Sequence, residues 1–255
     1  MKTPWLTLIT ITKDDPAGLA RTLASAAALR AAGAQHLVID GGASPARAGT
    51  AAAGGESVVF HSRPPQGISD AFNAGLALAQ GEWVWFLNGG DQVDARLSSD
   101  FLQALLGSSR ADLVIGGLTY AGETEPRAHP PRELQWPPFR SWIPHPATLI
   151  RRRLFAQFGG FDGRYSIAMD YEWWLRVFST NVPADVLAVP FAVFAGGGLS
   201  QRPEMQKVIA REQADALRRH FGALWWPWLG FNGRLLRAWL RAMLAGRIKK
   251  TVRLP

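Results

Sequence analysis

Short apolar runs that end in carboxylates or glycines alternate with helical stretches along the first half of this chain. That rhythm constrains the fold more than any other feature. Trp5 to Thr12 is apolar and β-branched, as a buried strand requires. Asp15-Pro16 then opens a helix from about Ala17 to Ala32, with Asp15 as the cap and Pro16 at the first helical position, and Gly33 ends it. His36 to Ile39 is a second strand ending at Asp40-Gly41-Gly42, and Ser57 to His61 a third. A helix from about Ile68 to Ala79 stops at Gly81. The fourth strand, Trp83 to Leu87, runs into Asn88-Gly89-Gly90-Asp91. Ser98 to Leu106 reads as helix and Leu113 to Ile115 as strand. Such alternation implies parallel pairing with helices on both faces. It also places the site beyond the carboxyl ends of the strands, where Asp40 and Asn88 to Asp91 lie.

After Gly122 the rhythm breaks. Thr124 to Pro144 is rich in Pro and polar residues and has no period, the mark of a functional or mobile stretch. Order resumes with a strand at His145 to Arg151, a short helix near Leu154, Gly159-Gly160-Phe161-Asp162, and a helix from Asp170 to about Ser179. Val186 to Ala195 reads as one or two strands, Gly196 to Gly198 as a flexible loop, and Gln201 to Phe221 as a polar helix.

Composition narrows the function classes. A chain of 255 residues with 47% hydrophobic and 19% charged side chains is too apolar for disorder and long enough to bury a large core. Zero Cys excludes disulfides, a thiolate nucleophile and thiolate metal sites, and fits a reducing compartment. No uncharged apolar run is long enough to cross a bilayer. The apolar N-terminus lacks a small-residue cleavage site and meets Lys13-Asp14-Asp15 at once, so a buried first strand is expected there rather than a signal peptide.

The net charge of +8 is not spread evenly. Nine of the 28 Lys and Arg fall from Arg218 onward, where there is no Asp or Glu, so the first 217 residues carry 19 basic against 20 acidic side chains. A near-neutral body argues against a nucleic-acid surface. The basic tail points to an anionic partner. Within it, Leu235, Leu236, Trp239, Leu240, Met243 and Leu244 share one helical face and Arg234, Arg237 and Arg241 the other, after the aromatic segment Leu224 to Phe231. This is the pattern of an interfacial membrane helix; a core-packed terminal helix with a solvated Arg face is its plain rival.

The common phosphate and hydrolase motifs are missing. There is no G-x-x-x-x-G-K-[ST], no G-x-G-x-x-G after the first strand, no H-E-x-x-H and no G-x-S-x-G. What remains is a set of carboxylates at strand ends and helix starts, suited to a hard divalent cation and to general-base work.

Six segments in order resemble the family 2 glycosyltransferases, inverting nucleotide-sugar enzymes of the GT-A fold, and most closely their bacterial polysaccharide branch. They are Leu6 to Asp14, His36 to Gly42, Gly67 to Gly75, Gly81 to Asp91, His145 to Leu149, and Gly159 to Asp162 with Ala168 to Arg176. Together they span roughly residues 5 to 200. The resemblance implies an α/β fold: a mostly parallel twisted sheet flanked by helices, covering about residues 1 to 220, followed by the amphipathic tail of 221 to 255. It implies that Asp40, Thr12 and Asp14 line the nucleoside pocket, that Asp70 and Asn73 lie beneath the donor, and that Asn88 and Asp91 form the metal motif. In that motif Asp91 holds Mg²⁺ or Mn²⁺. It makes Asp170 the general base. His145 and Arg176 are further donor-site candidates.

Each of these residues has a plainer role open to it. Asp91 and Asp170 are good helix or turn caps, and Asp40 suits a glycine turn. Arg176 suits an ion pair, and His145 before Pro a structural role. Asp70 and Asn73 share a helix face, and Trp173-Trp174 suit a core. The chain also departs from the family pattern. The second acid of the loop after Asp40 is missing, the first metal acid is Asn88, and Lys13 replaces an aromatic residue. The expected function is transfer of a sugar from a nucleoside diphosphate donor to a saccharide, lipid-linked acceptor, by a cytoplasmic protein peripheral on the inner membrane face. No nucleic-acid partner is expected. A nucleotidyltransferase and a non-catalytic scaffold are the two rivals.

Overall fold

The computed structural model describes residues 3–42, 58–62, 66–123 and 143–222. In chain order the elements are β1 (Leu6–Thr12), α1 (Pro16–Ser25), α2 (Ala27–Ala31), β2 (Gln35–Asp40), β3 (Val58–Ser62), α3 (Ile68–Leu78), β4 (Trp83–Asn88), β5 (Gln92–Val93), α4 (Ser99–Ser108), β6 (Leu113–Tyr120), β7 (Thr148–Arg151), α5 (Arg153–Phe158), α6 (Met169–Phe178), β8 (Ala184–Phe194) and α7 (Gln206–Phe221). The strands form one sheet in the order β3-β2-β1-β4-β7-β6-β8-β5.

The first half of the sheet follows the expected rhythm. β3, β2, β1 and β4 are all parallel. Beyond β4 the pairing is mixed: β7 is antiparallel to β4 and β6, β8 is parallel to β6, and the two-residue β5 is antiparallel to β8. Four of these seven pairings are parallel.

β1 and β4 are buried on both faces, which is why they read as continuous apolar runs. Ile9, Val84 and Phe86 pack with Phe72, Phe161, Trp173 and Leu175. Leu6, Leu8, Trp83 and Trp85 pack on the other side with Leu102, Leu106 and Phe191. Full burial of such side chains contributes roughly 1.5–3 kcal/mol each. Gly75 lets α3 close onto the sheet, because a Cβ there would lie 2.4 Å from Ile9 Cγ2. That approach brings Asp70 and Phe72 to the carboxyl ends of the strands.

Several boundaries differ from those expected. The helix of Ala17 to Ala32 breaks at Ala26 into α1 and α2. Ser25 ends α1 by donating its hydroxyl to Thr22 O and accepting from Val93 N–H, a bond to β5 that sequence periodicity does not show. The strand at His145 begins as a 3-10 turn, His145–Ala147, and becomes β7 only at Thr148. The polar helix starts at Gln206, after two 3-10 turns. The expected tail helix, most of the irregular stretch from Thr124, and the loop after Gly42 lie outside the described residues. Among the described residues no helix is long and apolar enough to cross a membrane.

Candidate active site

A cleft of about 830 Å³ opens at the carboxyl ends of β1, β2 and β4. It brings together six of the expected residues: Thr12, Asp70, Asn88, Asp91, His145 and Asp170. Backbone bonds knit its floor. Gly41 N–H donates to Thr12 O and Gly89 N–H to Ile11 O, so the three strand ends stay in register.

Asp91 is set by the tight turn after β4, where Gly90 takes a φ of 104°. Thr22 of α1 pins this turn from below: its hydroxyl donates to Asp91 O at 2.6 Å and accepts from Gly90 N–H at 2.9 Å. The Asp91 carboxyl accepts from Ala195 N–H at 3.0 Å and from the Asn88 amide at 3.3 Å. Burial pushes it up to about 6, against the lowering by those two hydrogen bonds. Among the described residues no Lys or Arg pairs with it, and no group of three or more His, Asp or Glu could hold a metal ion. A buried carboxylate without a cation, beside an amide that can turn its oxygen inward, fits one divalent ion whose other ligands come from a bound diphosphate.

Asp170 enters the cleft from the first turn of α6. Burial pushes its carboxyl up to about 6, opposed by hydrogen bonds from the amides of Tyr171 and of Asp170 itself. The loop that delivers it is held from three sides. From α3, Ser69 donates to Tyr165 O and Asn73 bonds Phe161. From α6, Trp173 donates to Gly159 O and Arg176 to Gly160 O. From α7, Glu212 accepts from Ser166, Ile167 and Ala168.

His145 stacks on Phe86 at 5.2 Å between ring centroids and meets Phe72, Phe161 and Trp174 edge-on. Its Nε2 is buried and finds no hydrogen-bond partner among the described residues. Burial lowers the imidazole to about 4, so the ring is neutral near pH 7. Its turn is fixed by Trp85, whose indole N–H donates to Pro146 O at 2.7 Å.

Four expected donor-site residues do not line the cleft. Asp40 accepts from Gly42 N–H at 2.8 Å, a turn bond. Asp14, at a φ of 52°, faces the same glycine: a Cβ on Gly42 would lie 2.8 Å from Asp14 Oδ1 and 3.0 Å from Asp40 Oδ1. Both acids flank lining residues, Lys13, Asp15, Ile39 and Gly41. Asn73 and Arg176 lie away from the lining. Both spend their polar atoms on the loop before α6. Arg176 also pairs with Glu172 at 2.8 Å and donates to Phe158 O, and it lines a separate cavity with Arg219 and His220. The residues that sequence reasoning missed are Thr22, Glu212 and Arg202, the last of which lines the cleft after the glycine loop. A Thr in a helix and a Glu in a polar helix carry no local signal of these contacts.

The chain is similar in sequence and in fold to known proteins. The sequence profile described as Glycosyl transferase family 2 matches residues 7–171. An uncharacterized glycosyltransferase of Mycobacterium tuberculosis (strain ATCC 25618 / H37Rv) is 30% identical over 236 residues, 85% of this chain and 86% of that protein. A PGL/p-HBAD biosynthesis glycosyltransferase of Mycobacterium bovis (strain BCG / Pasteur 1173P2) is 31% identical over 150 residues, 57% of this chain and 58% of that one. Among solved structures, S. aureus TarS 1-349 in complex with UDP aligns with a TM-score of 0.60 at 14% identity, over 86% of this chain and 72% of that chain. The same protein in complex with UDP-GlcNAc aligns with a TM-score of 0.57 over 85% and 72%.

Proposed function

The chain belongs to glycosyl transferase family 2 and is a glycosyltransferase of GT-A-like fold, and from that premise we propose that it transfers a sugar from a nucleoside diphosphate donor to a hydroxyl of a saccharide, lipid-linked acceptor, inverting the anomeric centre. The observation that carries this reading is that Asp91, buried, and Asp170, half-buried, present carboxylates from distant segments to one cleft.

In this reading Asp170 takes the proton of the acceptor hydroxyl as its oxygen attacks the anomeric carbon. The bond from that carbon to the diphosphate oxygen breaks, and the diphosphate leaves with the electron pair. A single displacement from the opposite face inverts the centre, and no covalent intermediate forms. A carboxyl raised to about 6 is still ionised at pH 7 and is a stronger base than a solvated Asp. Asp91, with the Asn88 amide oxygen turned inward, would hold Mg²⁺ or Mn²⁺. The ion would supply charge to offset the leaving diphosphate. Lys13 and Arg202 bring cationic side chains to the same cleft. The nucleoside end would lie toward Thr12, Gly41 and the acids Asp14 and Asp40, with Asp70 beneath.

The UDP complexes of the structural neighbour favour a uridine nucleotide, and the relative named for PGL/p-HBAD biosynthesis favours a glycolipid acceptor. A bacterial surface-polysaccharide or glycolipid role, on the cytoplasmic face of the membrane with the basic tail against anionic lipid, completes the proposal. A thermal-shift screen of nucleoside diphosphates and their sugars, with and without Mn²⁺, tests it. A shift with one nucleotide, enlarged by Mn²⁺, supports the reading. No shift with any of them, from folded protein, moves the weight to a scaffold.

A further inference from the structure

The first amides of α6 have no cap of their own. Ala168 occupies the cap position and its side chain has no oxygen to offer. The amides just before them are held from another helix. Glu212 of α7 accepts four hydrogen bonds across the gap: Oε1 from Ser166 N–H at 2.7 Å and Ser166 Oγ at 2.6 Å, and Oε2 from Ile167 N–H at 3.0 Å and Ala168 N–H at 2.8 Å. Burial alone would raise this carboxyl, but the four donors outweigh it and hold it below the usual carboxylate range.

The same turn carries Ile167, Ala168, Met169 and Asp170, all of which line the cleft. An acid in the first turn of a helix ordinarily bends back onto the open amides. Glu212 holds the three amides just before them, those of Ser166, Ile167 and Ala168. Asp170 accepts from the adjacent Tyr171 N–H, at 2.7 Å, and from its own amide, and it also lines the cleft. Tyr165, in the same loop, donates its hydroxyl to Asp215 of α7 at 3.1 Å, so α7 grips this loop at two points one helical turn apart.

We propose that Glu212 is a positioning residue for the transfer reaction: by holding the Ser166 to Ala168 segment from α7, it fixes the turn that carries Asp170 and keeps that carboxylate turned to the acceptor. The inference rests on Asp170 being the base. It adds a residue that touches no substrate, and it makes the seating of α7 a condition of turnover. Glu212 also places a negative charge beside the turn that carries Asp170. Without that charge, ionised Asp170 is favoured.

The test is steady-state kinetics of the full chain across pH for wild type, Glu212→Gln, Glu212→Ala and Asp170→Asn. Glu212→Ala is expected to lower kcat roughly 10- to 100-fold, the cost of a misplaced base, with donor KM and nucleoside diphosphate affinity changed less than about threefold. Glu212→Gln retains one acceptor oxygen and recovers part of kcat. In both Glu212 variants the acid limb of the rate profile moves down by roughly 0.2 to 0.7 pH unit, the size of a helix-end interaction. The other ionisable groups of the cleft (Lys13, Asp15, Asp70, Asp91, His145 and Arg202), those of α6 itself (Glu172 and Arg176) and those facing it from α7 (Asp215, Arg219 and His220) are unchanged in these variants, so a shift of the limb reports on Asp170. Wild-type kcat with an unmoved limb in Glu212→Ala overturns the inference, as does a loss of donor affinity equal to the loss in kcat. If Glu212→Ala does not fold, the kcat and limb of Glu212→Gln decide. Full turnover by Asp170→Asn would instead overturn the base assignment itself.

Discussion

Asn73 and Phe161 exchange two hydrogen bonds of 2.8 Å: the Asn73 amide donates to the Phe161 carbonyl, and the Phe161 N–H donates back to Asn73 Oδ1. The pair ties α3 to the loop that delivers Asp170. A Cβ on Gly160 would lie 2.5 Å from Asn73 Oδ1, so the glycine is what lets the amide reach. Asn73→Ala leaves both backbone groups without a partner. It should cost about 1–3 kcal/mol in denaturant unfolding, lower kcat, and leave nucleoside diphosphate affinity intact. Weaker nucleotide binding with unchanged stability would instead return Asn73 to the donor site.

Asp170 should govern the acid limb of the rate profile. A base must be deprotonated, and its carboxyl is raised to about 6, so kcat/KM should fall as pH drops through that value. The same shift acts on stability. The folded state binds this proton more tightly than the unfolded chain, so ionised Asp170 is a liability that is fully present above pH 6 and vanishes below the unfolded value near 4. Asp170→Asn should therefore abolish transfer while stabilising the fold at pH 7 by on the order of 1–2 kcal/mol, given partial exposure. Denaturant melts at pH 4 and pH 7 check this; a gain that is equal at both would speak against it.

His145 shows the opposite sign. Its folded value is lowered to about 4, so the protein should lose stability as pH falls from about 6.5 toward 4, by on the order of 3 kcal/mol from this ring. His145→Phe keeps the aromatic box and removes a buried nitrogen that has no partner among the described residues. It should be at least as stable as wild type at pH 7 and less sensitive to acid. A destabilised variant at pH 7 would mean that the imidazole makes a bond the box does not reveal.

Asp91→Ala should remove the enlargement by Mn²⁺ of any nucleotide-induced thermal shift while the folded baseline is kept or raised, since a buried carboxyl raised to about 6 is lost. A Mn²⁺ effect of full size in the variant would put the metal elsewhere.

For the tail, flotation on vesicles rich in anionic lipid should carry the full chain and not a chain ending near Phe221. Each basic residue near the surface contributes roughly 1 kcal/mol. Equal flotation of the two would count against a membrane role for residues 223–255.

The sequence by itself determined the parallel half of the sheet and its acids. Local rules suffice there: apolar runs such as Trp83 to Leu87 are strands, Asp15-Pro16 starts a helix, and the Asn88 to Asp91 turn must follow the strand end that carries it. Asp91 and Asp170 were visible through the family resemblance, as acids in short motifs that keep their order along the chain. The mixed half was not legible. Which edge β7 and β8 join depends on contacts between segments far apart in the chain, and β5 is two residues long. Side-chain roles were decided by tertiary structure as well. Asn73 and Arg176 sit in motifs that the resemblance assigns to the donor site, but Asn73 exchanges two bonds with the Phe161 backbone, and Arg176 bonds Glu172 and the carbonyls of Phe158 and Gly160. Asp170 accepts from the first amides of its own helix, and only the fold shows that Glu212, on another helix, holds the segment just before it. A hydrogen bond is satisfied by whichever partner the fold brings within about 3 Å, and no local pattern of residues names that partner in advance.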